Sequence, residues 1–189
     1  MVLTTEGRDK LANMISAPYL GLATYLISVS RRSSGNQFRH QCNTRAIIID
    51  YGYIDSVLLK ASLVHDILED IPEFNQDLLL NADFEGPQVF QLVLEVTRRP
   101  EEDKTAFLRR ITEQGSKNAK ILKCCDRISN MHDMGFVSNE AFIERYCNET
   151  EQFVLPMAAL VDSDMVRELT DLIKSRREML AILRCRRTP

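Results

Sequence analysis

The sequence has no tryptophan, and only three histidines, seven glycines and six prolines among its 189 residues. So few glycines and prolines leave too few tight turns for a many-stranded β-sandwich or barrel. No C-x-x-C pair occurs, and the five cysteines (Cys42, Cys124, Cys125, Cys147 and Cys185) are odd in number. Buried or idle thiols in a reducing compartment are therefore expected, not a disulfide framework. Neither sign of charge dominates: 24 Lys and Arg face 27 Asp and Glu, a formal net of −3. That balance lacks the basic footprint of a general nucleic-acid binder. Apolar runs are broken by polar residues well short of the ~20 that a membrane span needs. The opening Met1-Val2-Leu3-Thr4-Thr5-Glu6 has neither a basic start nor an apolar stretch behind it, so no secretory signal is expected. The expectation is a cytoplasmic protein with no nucleic-acid and no membrane partner.

What is present is helical periodicity. The apolar positions Leu11, Met14, Ile15, Leu20, Leu22, Ala23, Leu26 and Ile27 predict a helix over 8–30, kinked or restarted at Pro18. Arg31-Arg32-Ser33-Ser34-Gly35-Asn36 reads as a loop. A second helix is expected over 40–50, ending at Tyr51-Gly52. Asp55 or Ser56 is positioned to cap a third, which runs to about Glu69-Asp70 before Pro72, and a polar turn follows. Further helices are expected over 86–98, 101–114, 116–134, 138–162 and 164–186. The pattern predicts an all-α bundle with one core over 1–189. Arg176, Arg177, Arg184, Arg186 and Arg187 load the last helix with positive charge. They read as a solvated face favoured by the helix dipole, with phosphate recognition as the alternative.

The third helix carries unusual chemistry. After the apolar stretch around Val57-Leu58-Leu59 come His65-Asp66-Ile67-Leu68-Glu69-Asp70. If the helix is continuous, a turn of about 100° per residue stacks His65 over Glu69 and Asp66 over Asp70. Three carboxylates so close on an apolar helix are costly unless a cation neutralises them. A His and Asp set suits a divalent metal, while a solvated acidic helix end is the plainer alternative. Asp126 supplies a second signal, because it lies inside an otherwise amphipathic helix with Asn130 one turn later. A buried Asp needs a partner, either Lys123 or Arg127 in its own helix or a shared metal. His40 offers a contribution from a further helix, so that His40, His65, Asp66 and Asp126 form a possible four-ligand set.

These residues resemble the His…His-Asp…Asp pattern of the HD metal-dependent phosphohydrolases. Ala61-Ser62-Leu63-Val64-His65-Asp66-Ile67-Leu68-Glu69-Asp70 looks like the A-x-L-x-H-D-x-x-E-D motif of the RelA/SpoT-type alarmone hydrolases. Lys123-Cys124-Cys125-Asp126-Arg127-Ile128-Ser129-Asn130-Met131 is similar to their K-x-x-D-R-x-x-N-M motif. Weaker echoes are Val96-Thr97, Glu149-Thr150, Pro156 and Ala158, so the resemblance covers about residues 20–160. It implies an all-α HD-domain helical bundle in which His40, His65, Asp66 and Asp126 hold one Mn²⁺. Glu69 and Asp70 would position or deprotonate the attacking water, and Asn130 would contact the nucleotide. An Arg of an R-x-S-G loop helps bind the base in that family. Arg32-Ser33-Ser34-Gly35 matches the loop, whereas a gap-free count back from His40 selects Arg31.

The implied activity is hydrolysis of the 3′-pyrophosphate of guanosine tetra- or pentaphosphate, a small-molecule nucleotide substrate. No synthetase activity is expected, because in the larger family members it lies in a separate domain after the hydrolase. The departures fall on the recognition side: Gln41 replaces the usual Pro after His40, the loop is one residue short, and Asp133 stands where Thr is common. Ile27 and Ser30 lie near the places of the usual His and Gln. Two alternatives therefore stay open, an HD phosphohydrolase for another nucleotide and a non-catalytic alarmone binder. His132 matches no ligand position and is expected on the surface.

Overall fold

Polar caps divide the chain into helices. The computed structural model describes residues 3–33 and 35–185, so Ser34 of the Arg-Ser-Ser-Gly loop and Arg186 and Arg187 of the basic run lie outside it. Among the described residues the only β pairing is an isolated bridge between Ser30 and Asn36, as an all-α reading requires. Thr4 caps α1 (Thr5–Asn13) by accepting from the Gly7 N–H. The expected kink near Pro18 is a full break at residues 14–16. Pro18 then opens α2 (Ala17–Ala23), where its missing N–H is harmless. A 3₁₀ turn over Thr24–Leu26 follows.

Helix α3 (Gln37–Asp50) starts three residues before His40, because Asn36 caps it by accepting from the Arg39 N–H. It ends where Gly52 takes φ 78° and the Tyr53 N–H closes on the Ile48 carbonyl at 3.2 Å. That left-handed residue favours glycine. Asp55, not Ser56, caps α4 (Ser56–Ala61), accepting from the Leu58 N–H at 2.8 Å. The expected third helix does not run to Asp70: residues 62–66 form turns, and α5 is only Ile67–Asp70. The polar stretch after Pro72 holds a short unpredicted helix, α6 (Gln76–Leu80), capped by Asn75.

Four well-patterned helices follow: α7 (Gly86–Val96), α8 (Lys104–Gln114), α9 (Lys117–Asp133) and α10 (Glu140–Glu149). The single helix expected over 138–162 is instead α10, a π turn over Thr150–Val154 and α11 (Leu155–Ala159). Pro156 has no N–H for the Gln152 carbonyl, so the α register cannot continue there. The last helix, α12, spans Ser163–Cys185.

Helix α9 is the centre of the bundle, because its apolar residues face several ways. Ile121, Leu122, Cys124, Cys125, Ile128 and Met131 are all buried, and α3, α4, α7, α8, α11 and α12 pack around them. The five cysteines carry no disulfide, and burial pushes the Cys124 thiol up to about 12. Arg176 donates to the Met131 carbonyl at the end of α9, and Arg177 and Arg184 pair with Glu151 and Glu144. These three arginines therefore staple α12 to its neighbours. His132 is exposed and lies 3.0 Å from a Glu168 oxygen. No helix among the described residues is long and apolar enough to cross a membrane.

Arg127 is 1% exposed. Its guanidinium donates to Glu149 Oε1 at 2.6 Å and to Thr150 Oγ1 at 3.1 Å, and lies 4.0 Å from the Tyr146 ring centroid. Burial works against a charged Glu149, but Arg127 and then Lys104 outweigh it and hold its carboxyl below the ordinary value. A lowered carboxylate contributes stability that is complete above its unfolded pKa of 4.5 and is lost as pH falls through the lower folded value. Glu149→Gln should cost on the order of 3 kcal/mol in urea unfolding at neutral pH, because it strands a buried cation. The gap to the unaltered protein should close in acid, below the ordinary glutamate range. A gap that stays constant with pH would contradict this account of the pair.

Candidate active site

The break after α4 creates the first half of the site. Ser62 Oγ donates to the Leu59 carbonyl at 2.8 Å, and the Leu63 and Val64 N–H groups reach back only three residues. His65 Nδ1 lies 2.9 Å from the Ser62 carbonyl. A carbonyl can only accept, so Nδ1 carries the proton and Nε2 faces the interior. His65 and Asp66 thus project from a turn, not from the continuous helical face that their spacing suggested. Asp66 still opens α5: its carbonyl accepts the N–H groups of Glu69 and Asp70.

The second half comes from α3 and α9. His40 Nε2 lies 2.9 Å from Asp126 Oδ1, and His40 Nδ1 lies 3.0 Å from Ser129 Oγ. Asp126 also accepts from Lys123 at 2.7 Å and from the Asn130 side chain at 2.5 Å. The intrahelical partner of Asp126 is therefore Lys123, and His40 of α3 faces the same carboxylate. Asp66 Oδ2 lies 3.4 Å from His65 Nε2 and 3.7 Å from His40 Nε2. Ligand atoms of His40, His65 and Asp126 all fall within 4.8 Å of one another, and all three residues are buried.

This group fits a divalent cation on its own chemistry. His65 Nε2 is buried with no hydrogen-bond partner, a costly arrangement for a ring nitrogen. Two imidazole nitrogens and the Asp126 carboxylate, with the Asp66 carboxylate beside the imidazoles, form a mixed donor set that suits a divalent metal. Burial works against a charged His65, but Asp66 and Asp126 outweigh it and push its pKa up to about 9. The two carboxylates thus draw positive charge to the Nε2 position. Burial also opposes the charge on Asp126, yet Lys123 and the two imidazoles hold its carboxyl well below the usual range.

Beside the group lie two cavities of about 210 and 200 Å³, which share Arg31, Gln37, Asn130 and Tyr146 as lining. The first also takes in Arg32, Asp70 and Phe142, and the second reaches His40, Asp66, Lys123 and Asp126. The loop before α3 folds back through the Arg31 N–H to the Gly35 carbonyl, with Gly35 at φ 76°. It brings both arginines to one cavity. Arg31 donates to Asp133 at 2.7 Å and to Asn130 Oδ1 at 2.5 Å, whereas the Arg32 guanidinium lies 5.9 Å from the Phe142 ring centroid.

The remaining two carboxylates are tethered differently. Glu69 accepts from the Arg98 backbone N–H at 2.7 Å, just past the Val96-Thr97 pair that ends α7. Asp70 accepts from Gln37 Nε2 at 2.5 Å. Desolvation raises both carboxyls above their ordinary values, and the charge of Asp66 adds to the effect on each. Gln37, Gln41, Ser129, Phe142 and Tyr146 are contributors that the motifs did not identify. The one available signal was spacing, since Gln37 and Gln41 lie four apart around His40.

No protein-family model matches the chain. A GTP pyrophosphokinase of Brucella ovis is 27% identical over 153 residues, covering 75% of this chain and 20% of that protein. A human guanosine-3′,5′-bis(diphosphate) 3′-pyrophosphohydrolase is 32% identical over 108 residues, covering 56% of this chain and 59% of that protein. A probable enzyme of the same name from Mycoplasma pneumoniae is 27% identical over 155 residues, covering 70% and 21%. The chain thus spans about a fifth of the bacterial relatives and 59% of the human one. The solved structure of a metazoan orthologue of SpoT, which hydrolyzes ppGpp, superposes with a TM-score of 0.74 at 20% identity over 87% of this chain and 98% of that one. The chain therefore has the all-α fold of an HD-type hydrolase and is similar, in sequence and in architecture, to the ppGpp hydrolases.

Proposed function

We propose that the chain is a Mn²⁺-dependent pyrophosphohydrolase that removes the 3′-pyrophosphate of guanosine tetra- or pentaphosphate. The observation that carries this reading is the convergence of two distant motifs on one buried group with an unpartnered His65 Nε2, beside cavities lined by Arg31, Arg32 and Asn130. The names of the human and Mycoplasma relatives supply the substrate class. His40, His65, Asp66 and Asp126 would hold the ion. Such a cation supplies charge neutralisation at the phosphoryl group and a more acidic water.

The chain's own residues do the rest. Asp70 lines the nucleotide cavity, and its raised proton affinity suits a base that takes a proton from the attacking water. Glu69, anchored on the Arg98 N–H, shares the task of orienting that water. The water oxygen bonds to the phosphorus as the bond from that phosphorus to the ribose 3′ oxygen breaks, and the proton taken up by Asp70 passes on to the 3′ oxygen. The products are GDP or GTP and pyrophosphate. Arg31, braced by Asp133 and Asn130, acts as a fixed wall of the cavity, which leaves Arg32 to reach the nucleotide. A second reading is an HD hydrolase for a different phosphorylated nucleotide. Arg31 favours it to this extent: its guanidinium is engaged by Asp133, a residue that departs from the family pattern.

Supplied with Mn²⁺, the protein should release pyrophosphate from guanosine tetraphosphate. Binding without turnover would instead indicate a non-catalytic alarmone binder, and phosphate release from another nucleotide would favour the second reading. Asp66→Asn should abolish ion binding in calorimetry. Glu69→Gln should keep the ion and lose on the order of 10²-fold in kcat, the cost of a misplaced water. Full turnover by an ion-loaded Glu69→Gln enzyme would refute that residue's role. Arg32→Ala should raise KM more than Asp133→Ala does, and the reverse order would assign nucleotide contact to Arg31.

A further inference from the structure

Gln37 and Gln41 sit one turn apart on α3, and both turn a side-chain amide toward Asp66. Gln41 is fully buried, and its Nε2 donates to Asp66 Oδ2 at 2.9 Å. That same oxygen faces His65 Nε2 at 3.4 Å and His40 Nε2 at 3.7 Å. Gln37 Nε2 donates to Asp70 Oδ2 at 2.5 Å and reaches Asp66 Oδ2 at only 3.4 Å. A carboxylate oxygen accepts and never donates, so the amide nitrogens must point this way. The cost is visible on the other side of each amide: Oε1 of Gln37 and Oε1 of Gln41 are buried with no partner. An apolar side chain of the same length would avoid stranding a carbonyl. Keeping an amide here makes physical sense if its donor has work to do on Asp66.

We propose that Gln41 is a positioning residue for the metal centre: its amide holds the Asp66 carboxylate with Oδ2 turned toward the two imidazoles, and so sets the affinity for the cation. Gln37 gives weaker support to the same oxygen while tying it to Asp70. Partners of metal-binding side chains commonly set ligand orientation, and their loss costs roughly 10–100-fold in metal affinity.

This inference rests on the metal reading of the site but not on the identity of the nucleotide. The test is therefore Mn²⁺ titration calorimetry on the full chain without nucleotide, with thermal melting of the ion-free protein alongside. Gln41→Met matches the length and removes the donor. It should weaken Mn²⁺ binding by about 10–100-fold with an unchanged melting temperature, and Gln37→Met should weaken it less. Should Gln41→Met fold poorly, Gln41→Asn keeps an amide but draws it back by one methylene, and it should also weaken binding. Unaltered Mn²⁺ affinity in a folded Gln41 variant, or a larger loss in Gln37→Met, overturns the proposal. An unaltered protein that binds no divalent cation overturns it together with the metal reading.

Discussion

Asp126 and Arg127 are consecutive residues on a helix buried on most sides, and the helical turn of about 100° between them sends their charges apart. Asp126 meets His40, Lys123 and Asn130, while Arg127 meets Glu149, Thr150 and the Tyr146 ring. Each charge is costly to bury alone, and each is matched only when α9 has one rotation and one height in the bundle. The pair therefore fixes the register of the central helix. On one side it docks α3 and the candidate metal centre, and on the other α10 and the π turn. The site and the scaffold are two consequences of the same constraint.

Much of this was legible because the motif residues do unlike jobs at fixed spacing. Asp126 stood out as a carboxylate in an amphipathic helix, and the weak Glu149-Thr150 echo gains a reason, since both residues receive Arg127. Most helix boundaries follow their polar caps: Asn36, Asp55, Asp103, Ser116 and Asn139 each accept from the first turn of the helix they precede. Apolar spacing misread the segment between α4 and α5. Hydrophobic period does not register that the His65 ring takes the Ser62 carbonyl and Ser62 Oγ takes that of Leu59. The π turn was missed for a related reason, because Pro156 changes the register without changing the apolar pattern.

Pairwise partners across long separations were the hardest to read. Asp133 and the uncertain choice between Arg31 and Arg32 looked like separate departures from a family pattern, yet Arg31 and Asp133 form one ion pair of 2.7 Å. From Asp133 the contacts continue through Arg31 and Asn130 to Asp126, so the edge of the candidate nucleotide cavity and the candidate metal ligands share a hydrogen-bonded chain. The contacts of the two glutamines were hidden for another reason. A neutral amide carries no charge to flag it, and only the fold shows it buried beside two carboxylates.

The candidate metal-binding group draws on three separate stretches of chain, and His40 and Asp126 stand 86 positions apart. A denatured chain holds these donors far from one another, and closing a loop of that length has an entropic cost. A cation held at this place binds the native molecule and not the unfolded one, so mass action transfers its binding free energy to the fold. Such an ion would act as a removable cross-link between the amino-terminal third and the central helix. Bound there, it would stabilise the folded molecule as well as ready it for chemistry, and a chelator would act on both.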